Sequence, residues 1–259
     1  MPADDPHDDR PNELRTTSTS IEILWRIEER DGARVAELAD DLGLAPSTVH
    51  SHLATLRTNG FVYKESDFYQ LGPEIIRLGH YARTRRDGYV LAKQYTRQLS
   101  ERTGMRSIFV VEQDGRGIFH HTVSGDRANW QHERIGGSLP LHSTAVGKAI
   151  LAQLPDQSVD EIIDAEGLPK ATENTITSRD ELYEELDRVR AAGYAVNGGE
   201  NIRGLWAIGA AAKSPDQTVI GAFSVSGAKH AIRGETRREN LADTLLEVVE
   251  DYELTLALS

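Results

Sequence analysis

Apolar positions recur with helical spacing through the first third of the chain. Val35, Leu38, Ala39 and Leu42 stand at i, i+3, i+4 and i+7, one face of a short helix. Gly43 follows, where a helix closes in the left-handed region. Pro46, Ser47 and Thr48 are residue types suited to a helix start, and they open a second helix with Val49, Leu53 and Leu56 as its buried stripe. Its other face carries Ser47, Thr48, His50, Ser51 and Arg57. Upstream, Ile21, Leu24, Trp25 and Glu28 share helical spacing, with residues 18–20 as caps. Downstream, Phe61-Val62-Tyr63 and Phe68-Tyr69 are β-prone runs around a polar turn at residues 64–67. Helix, helix, helix and hairpin predict a winged helix-turn-helix, whose second paired helix can enter a DNA major groove. For the helix pair alone, the competing reading is an ordinary helical hairpin.

Beyond the hairpin, Leu71-Gly72-Pro73 starts another helix, packed through Ile75, Ile76, Leu78 and Gly79. The polar stretch 83–88 reads as a linker, followed by a helix over 89–102 closed by Gly104. Strands are predicted over 108–111, 117–123 and 130–135. A helix begins near Ser143-Thr144, where hydroxyls and first-turn amides make a small-anion site by geometry, or a plain cap. Helices over 158–165 and 178–192, with Gly193 as cap, lead to a strand over 194–196. Residues 205–212 and 219–226 form a hairpin that puts Ser224 and Ser226 on one face, Phe223 and Val225 on the other. The last helix, 235–256, turns Leu241, Leu245, Val248, Val249 and Tyr252 inward. The second part is thus an α+β domain built on an antiparallel sheet.

Composition narrows the class. The 259 residues suffice for two domains, and no run of 18 apolar residues exists. Residues 1–15 read as a disordered acidic tail without a secretory signal, and a cytoplasmic location is expected. With no cysteine there is no disulfide, thiolate metal site or cysteine nucleophile. Net charge is −12, and only six of the 29 bases are lysine, a balance like that of proteins from salt-in halophiles. Residues 16–86 carry 9 bases against 10 acids, a weak electrostatic footprint for a DNA binder, with the bases gathered at Arg57, Lys64, Arg77, Arg83, Arg85 and Arg86. Sequence recognition must then rest on hydrogen bonds more than on field.

Catalytic patterns are missing. HExxH, CxxC and GxSxG do not occur. His120, His121, His132 and His142 lie in the second domain, but neighbours on a regular strand face opposite ways, so His120 and His121 should not share a metal. No metal site, cofactor or catalytic residue is expected.

Five blocks stand out in order and spacing: VAELADDLGLAPSTVHSHLATLRTNGFV, YQLGPEIIRLG, LPLHSTAVGKAILAQLP, LYEELDRVRAAGYAVNGGE and VIGAFSVSG. Through them the chain resembles IclR-type transcriptional regulators over about residues 18–258. The resemblance implies a winged helix-turn-helix (16–82), a linker helix (83–102) and a GAF-like effector-binding domain (103–259). It implies a homodimer or dimer of dimers on a double-stranded operator, with Ser47, Thr48, His50, Ser51, Arg57 and, in the wing, Lys64 reading DNA. The effector pocket would be walled by Leu139, Ser143, Thr144, Ala145, Val146, Asn197, Leu205, Ala207, Ser224 and Ser226, and would sense a small organic or sugar-derived acid. The chain departs from the family pattern at Asn197, Ala207 and Ala211, where an acid, a cysteine and a proline are common. Trp206 adds bulk beside the pocket, and Glu200 is the nearby acid available in place of one at 197. Two other readings compete: a constitutive or architectural DNA-binding factor with a non-sensing second domain, and a GAF-fold enzyme.

Overall fold

The computed structural model describes residues 14–124, 135–232 and 234–259, and the chain divides into two units between Ala82 and Arg83. The N-terminal unit holds α1 (Arg15–Glu29), α2 (Val35–Leu42), α3 (Pro46–Thr58) and the hairpin β1 (Val62–Glu65) and β2 (Phe68–Leu71). Helix α4 (Pro73–Thr84) then leads out of it. Gly43 closes α2 at φ 62°, the left-handed conformation that glycine adopts without steric cost. Ile23, Ile27, Leu38, Val49, Leu53 and Val62 form the core of this unit.

Two expected details of this unit change. Helix α1 begins at Arg15 with Leu14 before it, so Ser18, Thr19 and Ser20 lie inside the helix and do not cap it. Thr19 Oγ1 instead bonds back to Arg15 O at 2.9 Å, the local alternative open to a short hydroxyl side chain. The buried side of α1 is Ile23 and Ile27, while Ile21 and Trp25 are exposed. Helix α3 starts from extended Ala45 with Pro46 in the first turn, so Ser47 and Thr48 are first-turn residues and not caps.

The second unit is built on a six-stranded antiparallel sheet. Its strands are β3 (Arg106–Gln113), β4 (Arg116–Val123), β5 (Ser138–Pro140), β6 (Ala195–Gly198), β7 (Leu205–Lys213) and β8 (Val219–Ala228), in the order β5-β4-β3-β8-β7-β6. One face is covered by α5 (Asp87–Thr103) and the final helix, with Leu99, Phe109, Phe223, Leu245 and Tyr252 between them. The other face carries α6 (Ala145–Leu151), α7 (Asp156–Glu166) and α8 (Arg179–Ala192) over Val110, Val146, Ile150, Leu182 and Leu186. The short α9 (Lys229–Ile232) and the long α10 (Glu235–Leu258) close the chain. The linker helix expected over 83–102 is broken: α4 ends at Thr84, and extended Arg86 (φ −131°, ψ 135°) precedes α5. Residues 130–134 of one expected strand lie outside the described residues, and the strand paired with β4 on that side is β5.

Alternation of side chains along β3 and β8 sets what each face receives. A bulge interrupts it on β4. Phe109 pairs with His121 and Val110 with Phe119, so His120 opposes no residue.

Helix α6 lies directly on the sheet. A Cβ on Gly209 of β7 would stand 2.7 Å from the Ala145 carbonyl carbon, and one on Gly147 would stand 2.2 Å from Leu141 O. Only glycine allows backbone to approach backbone this closely. Gly209→Ala should therefore destabilise the protein by about 1–3 kcal/mol in urea unfolding; a variant as stable as the parent would show that α6 does not bear on this strand.

Candidate functional site

The outward face of α3 carries Ser47, Thr48, His50, Ser51 and Arg57, all exposed, as is Lys64 on β1. Ser51 Oγ bonds to Ser47 O at 3.0 Å. His52 is held away from this face, its Nδ1 2.8 Å from Ser20 Oγ of α1. The hairpin reverses through Ser66, at φ 56°, and Lys64 Nζ stands 5.8 Å from the Tyr69 ring. The basic gathering seen in the sequence is partly spent: Arg77 pairs with Glu74 at 2.6 Å, and Arg83 donates to His120 O at 3.1 Å.

In the second unit a cavity of about 350 Å³ opens between the start of α6, β5 and the sheet. Leu139, Thr144, Ala145, Val146, Asn197, Leu205, Ala207, Ser224 and Ser226 line it. Ser143 does not; it is fully buried behind the wall, where its carbonyl accepts from Asn197 Nδ2 at 3.1 Å. Trp206, also expected beside the pocket, packs with the α5 and α10 core, because strand alternation sends it opposite to Leu205 and Ala207.

Arg106 is the charged lining residue that the sequence reading missed. It sits on β3 opposite Ser226, is 3% exposed, and its Nη1 donates to Ser226 Oγ at 3.1 Å. Burial pushes its pKa down to about 10, since a desolvated cation is penalised. Among the described residues lining the cavity, Arg106 alone carries formal charge. Ile108, Phe119, Asn201 and Ile202, with residues 137, 138 and 140 of the β5 segment, complete a largely apolar wall. A period-two signal was available: 106 and 108 share a strand face, and their partners are Ser226 and Ser224.

Thr144 caps α6. Its Oγ1 accepts from Gly147 N at 3.2 Å and donates to Pro140 O at 2.9 Å, so that hydroxyl is committed to the fold. Asn197 is similarly engaged, Oδ1 accepting from Gly199 N at 2.9 Å and Glu200 N at 2.8 Å. Glu200 does not replace an acid at 197. Its carboxylate meets Lys148 Nζ at 2.8 Å, beneath the wall. Lys148, 1% exposed, also binds Glu185 at 2.8 Å and Val196 O at 2.7 Å. Removing one partner from such a buried network costs about 3–5 kcal/mol.

His120 and His121 do not face opposite ways. The bulge turns both toward the α5 side, with ring centroids 5.9 Å apart and each near Phe109. His121 Nε2 lies 2.7 Å from Tyr89 O, and Arg83 Nη2 lies 3.1 Å from its Nδ1. A carbonyl accepts and a guanidinium donates, so His121 is neutral with its proton on Nε2. Among the described residues no group of three or more His, Asp or Glu could hold a metal.

Comparison with known proteins covers both units. The family model "Bacterial transcriptional regulator IclR C-terminal" matches residues 82–253, and "IclR helix-turn-helix domain" matches 20–66. The "Probable HTH-type transcriptional regulator ArcR" of Halobacterium salinarum is 31% identical over 250 residues, 95% of either chain. The crystal structure of Thermotoga maritima IclR superposes with a TM-score of 0.82 at 27% identity, covering 95% of this chain and 100% of that one. An IclR homologue from Microbacterium hydrocarbonoxydans, solved with 4-hydroxybenzoate, shares the fold at a TM-score of 0.79 and 20% identity, over 94% of this chain and 100% of that one.

Burial lowers the pKa of His120 to about 4, with the charges of His121, Arg83 and Arg85 acting in the same direction. The unfolded chain therefore binds this proton more readily than the native one, so its contribution to stability is complete above about pH 6.5 and is lost on acidification toward about pH 4. Over that window the melting temperature of His120→Gln should fall less steeply than that of the parent. Parallel slopes would mean that His120 titrates normally.

Proposed function

The chain belongs to the IclR family of bacterial transcriptional regulators, ligand-responsive DNA-binding proteins, and from that premise we propose that its effector is a small organic acid held by Arg106. The cavity pairs one buried guanidinium with the hydroxyls of Ser224 and Ser226 in a mostly apolar wall. That single arrangement carries the proposal. A guanidinium offers a carboxylate two parallel hydrogen bonds, stronger in a desolvated site, and the apolar remainder suits a short aliphatic or aromatic body. The 4-hydroxybenzoate in the Microbacterium homologue is a ligand of that class.

At the other end, α3 reads the major groove through Ser47, Thr48, His50, Ser51 and Arg57, and Lys64 meets the backbone beside it. The protein acts as a cytoplasmic regulator of a metabolic operon, without catalysis. Two copies bind a pseudo-palindrome. The dimer reading draws support from α1, which exposes Ile21 and Trp25 and follows an exposed Leu14, and from α4, which buries none of its residues. Of the residues expected to pack α4, Ile75 is half-buried, while Ile76 and Leu78 are exposed and available to a partner.

Thermal shift with matched acid and amide pairs tests the ligand class. Benzoate or pyruvate should raise the melting temperature, benzamide and pyruvamide should not, and Arg106→Ala should weaken acid binding about tenfold or more. Equal shifts by acids and amides would overturn the Arg106 assignment. No shift from any of the four would favour a regulator with a non-sensing second unit. In footprinting, the protected site should show two half-sites about one helical turn apart. His50→Ala and Arg57→Ala should each weaken it by about 1–3 kcal/mol; unchanged protection in both would rule out α3 as the reader.

A further inference from the structure

Strand β4 serves two places at once. Phe119 forms part of the cavity wall. Two residues later, His121 meets Arg83, the residue at which the chain passes from one unit to the next. The bulge makes this possible. In regular β structure Phe119 and His121 would share a face. With His120 unpaired, Phe119 joins the α6 side and His121 the α5 side of the sheet.

The contact at the junction is built, not incidental. Arg83 Nη2 reaches His120 O and His121 Nδ1, each at 3.1 Å. His121 is fixed from its far side by Tyr89 O on the first turn of α5, at 2.7 Å. The His121 ring lies nearly parallel to Phe109, 29° between planes, and the His120 ring centroid is 4.4 Å from that of Tyr89. Arg83 itself belongs to the last turn of α4. A change in how Phe119 sits against the cavity must move the bulge or strain it. The bulge carries both groups that hold the end of α4.

We propose that Arg83, clasped to the bulged segment His120–His121, is the positioning residue that passes the occupancy of the cavity to helix α4. The proposal rests on the cavity being the effector site. It requires no rigid path through the whole domain. It needs one strand with a pocket residue and a junction residue two positions apart, and an interaction at the junction that holds in one arrangement of the strand and weakens in another.

A double-mutant cycle on the full chain separates the possibilities, read as affinity for the duplex that the protein selects from a random-sequence library. Ala207→Leu places three extra carbons in the cavity and stands in for a bound effector, and Ala207→Val repeats the measurement with less bulk. In the parent background the filled cavity should change DNA affinity about fivefold or more, the low end of ordinary allosteric coupling. In Arg83→Ala the same substitution should change it less than about twofold, and Arg83→Lys, which keeps a charged donor, should restore part of the response. A full response in Arg83→Ala would overturn the clasp while leaving the cavity as the sensor. No response to either filling substitution in the parent, with both variants folded by circular dichroism, would overturn the sensing cavity and the clasp with it.

Discussion

Helix α6 rests on strand β7 by backbone contact at Gly209, with no side chain to space the two apart. The rest of the effector unit follows from that approach. The first turn of α6 comes down beside Ala207 and Ser224, and the gap left between Leu139, Val146 and the sheet becomes the cavity. Thr144 holds the helix start to Pro140 while its cap bond goes to Gly147. A helix standing off by one methyl group would separate Ala145 and Val146 from the serines they face across the cavity. Backbone proximity, not side-chain recognition, thus fixes the dimensions of the site.

Two buried cations sit close to this helix. Lys148 is neutralised within the fold by Glu185 and Glu200, with Val196 O taking a further N–H. Its hydrogen bonds tie α6 to α8, to β6 and to the loop that supplies Asn201 and Ile202 to the cavity wall. Arg106 lines the cavity itself, and burial pushes its pKa down. A cation held by fold carboxylates stabilises a geometry. One presented to a cavity beside hydroxyls is suited to an incoming carboxylate. The pairing at Lys148 also explains why Glu200, adjacent in sequence to the site, is withdrawn from it.

The N-terminal unit is nearly neutral. Its bases are spread among acids, and Arg77 is paired with a glutamate. What α3 presents outward is a row of hydroxyls, one imidazole and one guanidinium. On the DNA-reading role proposed for α3, such a face would gain little from counterion release and would depend on hydrogen bonds to base edges and backbone.

Most elements were legible in the sequence because they rest on local rules. The 3.6-residue stripe of α2 and α3, Gly43 and Gly193 at helix ends, and the alternation that puts Ser224 and Ser226 on one face are set by residues close in the chain. The resemblance to the IclR family also brought together Leu139, Thr144–Val146, Asn197, Leu205, Ala207 and the two serines, which line the cavity. What the sequence could not show depends on residues far apart meeting. Arg106 reads as an ordinary strand residue until β3 pairs with β8 and sets it on Ser226. His120 and His121 read as opposed neighbours until the shifted register against β3 inserts a bulge and turns both to one side. Ser143 reads as a pocket residue, and Trp206 as bulk beside the pocket, until packing buries one behind the wall and alternation sends the other to the opposite core. Periodicity and capping chemistry determine an element from its own residues. Pairing register and the close approach of α6 to the sheet are decided only when the whole sheet assembles, and in this protein they choose which side chains line the cavity.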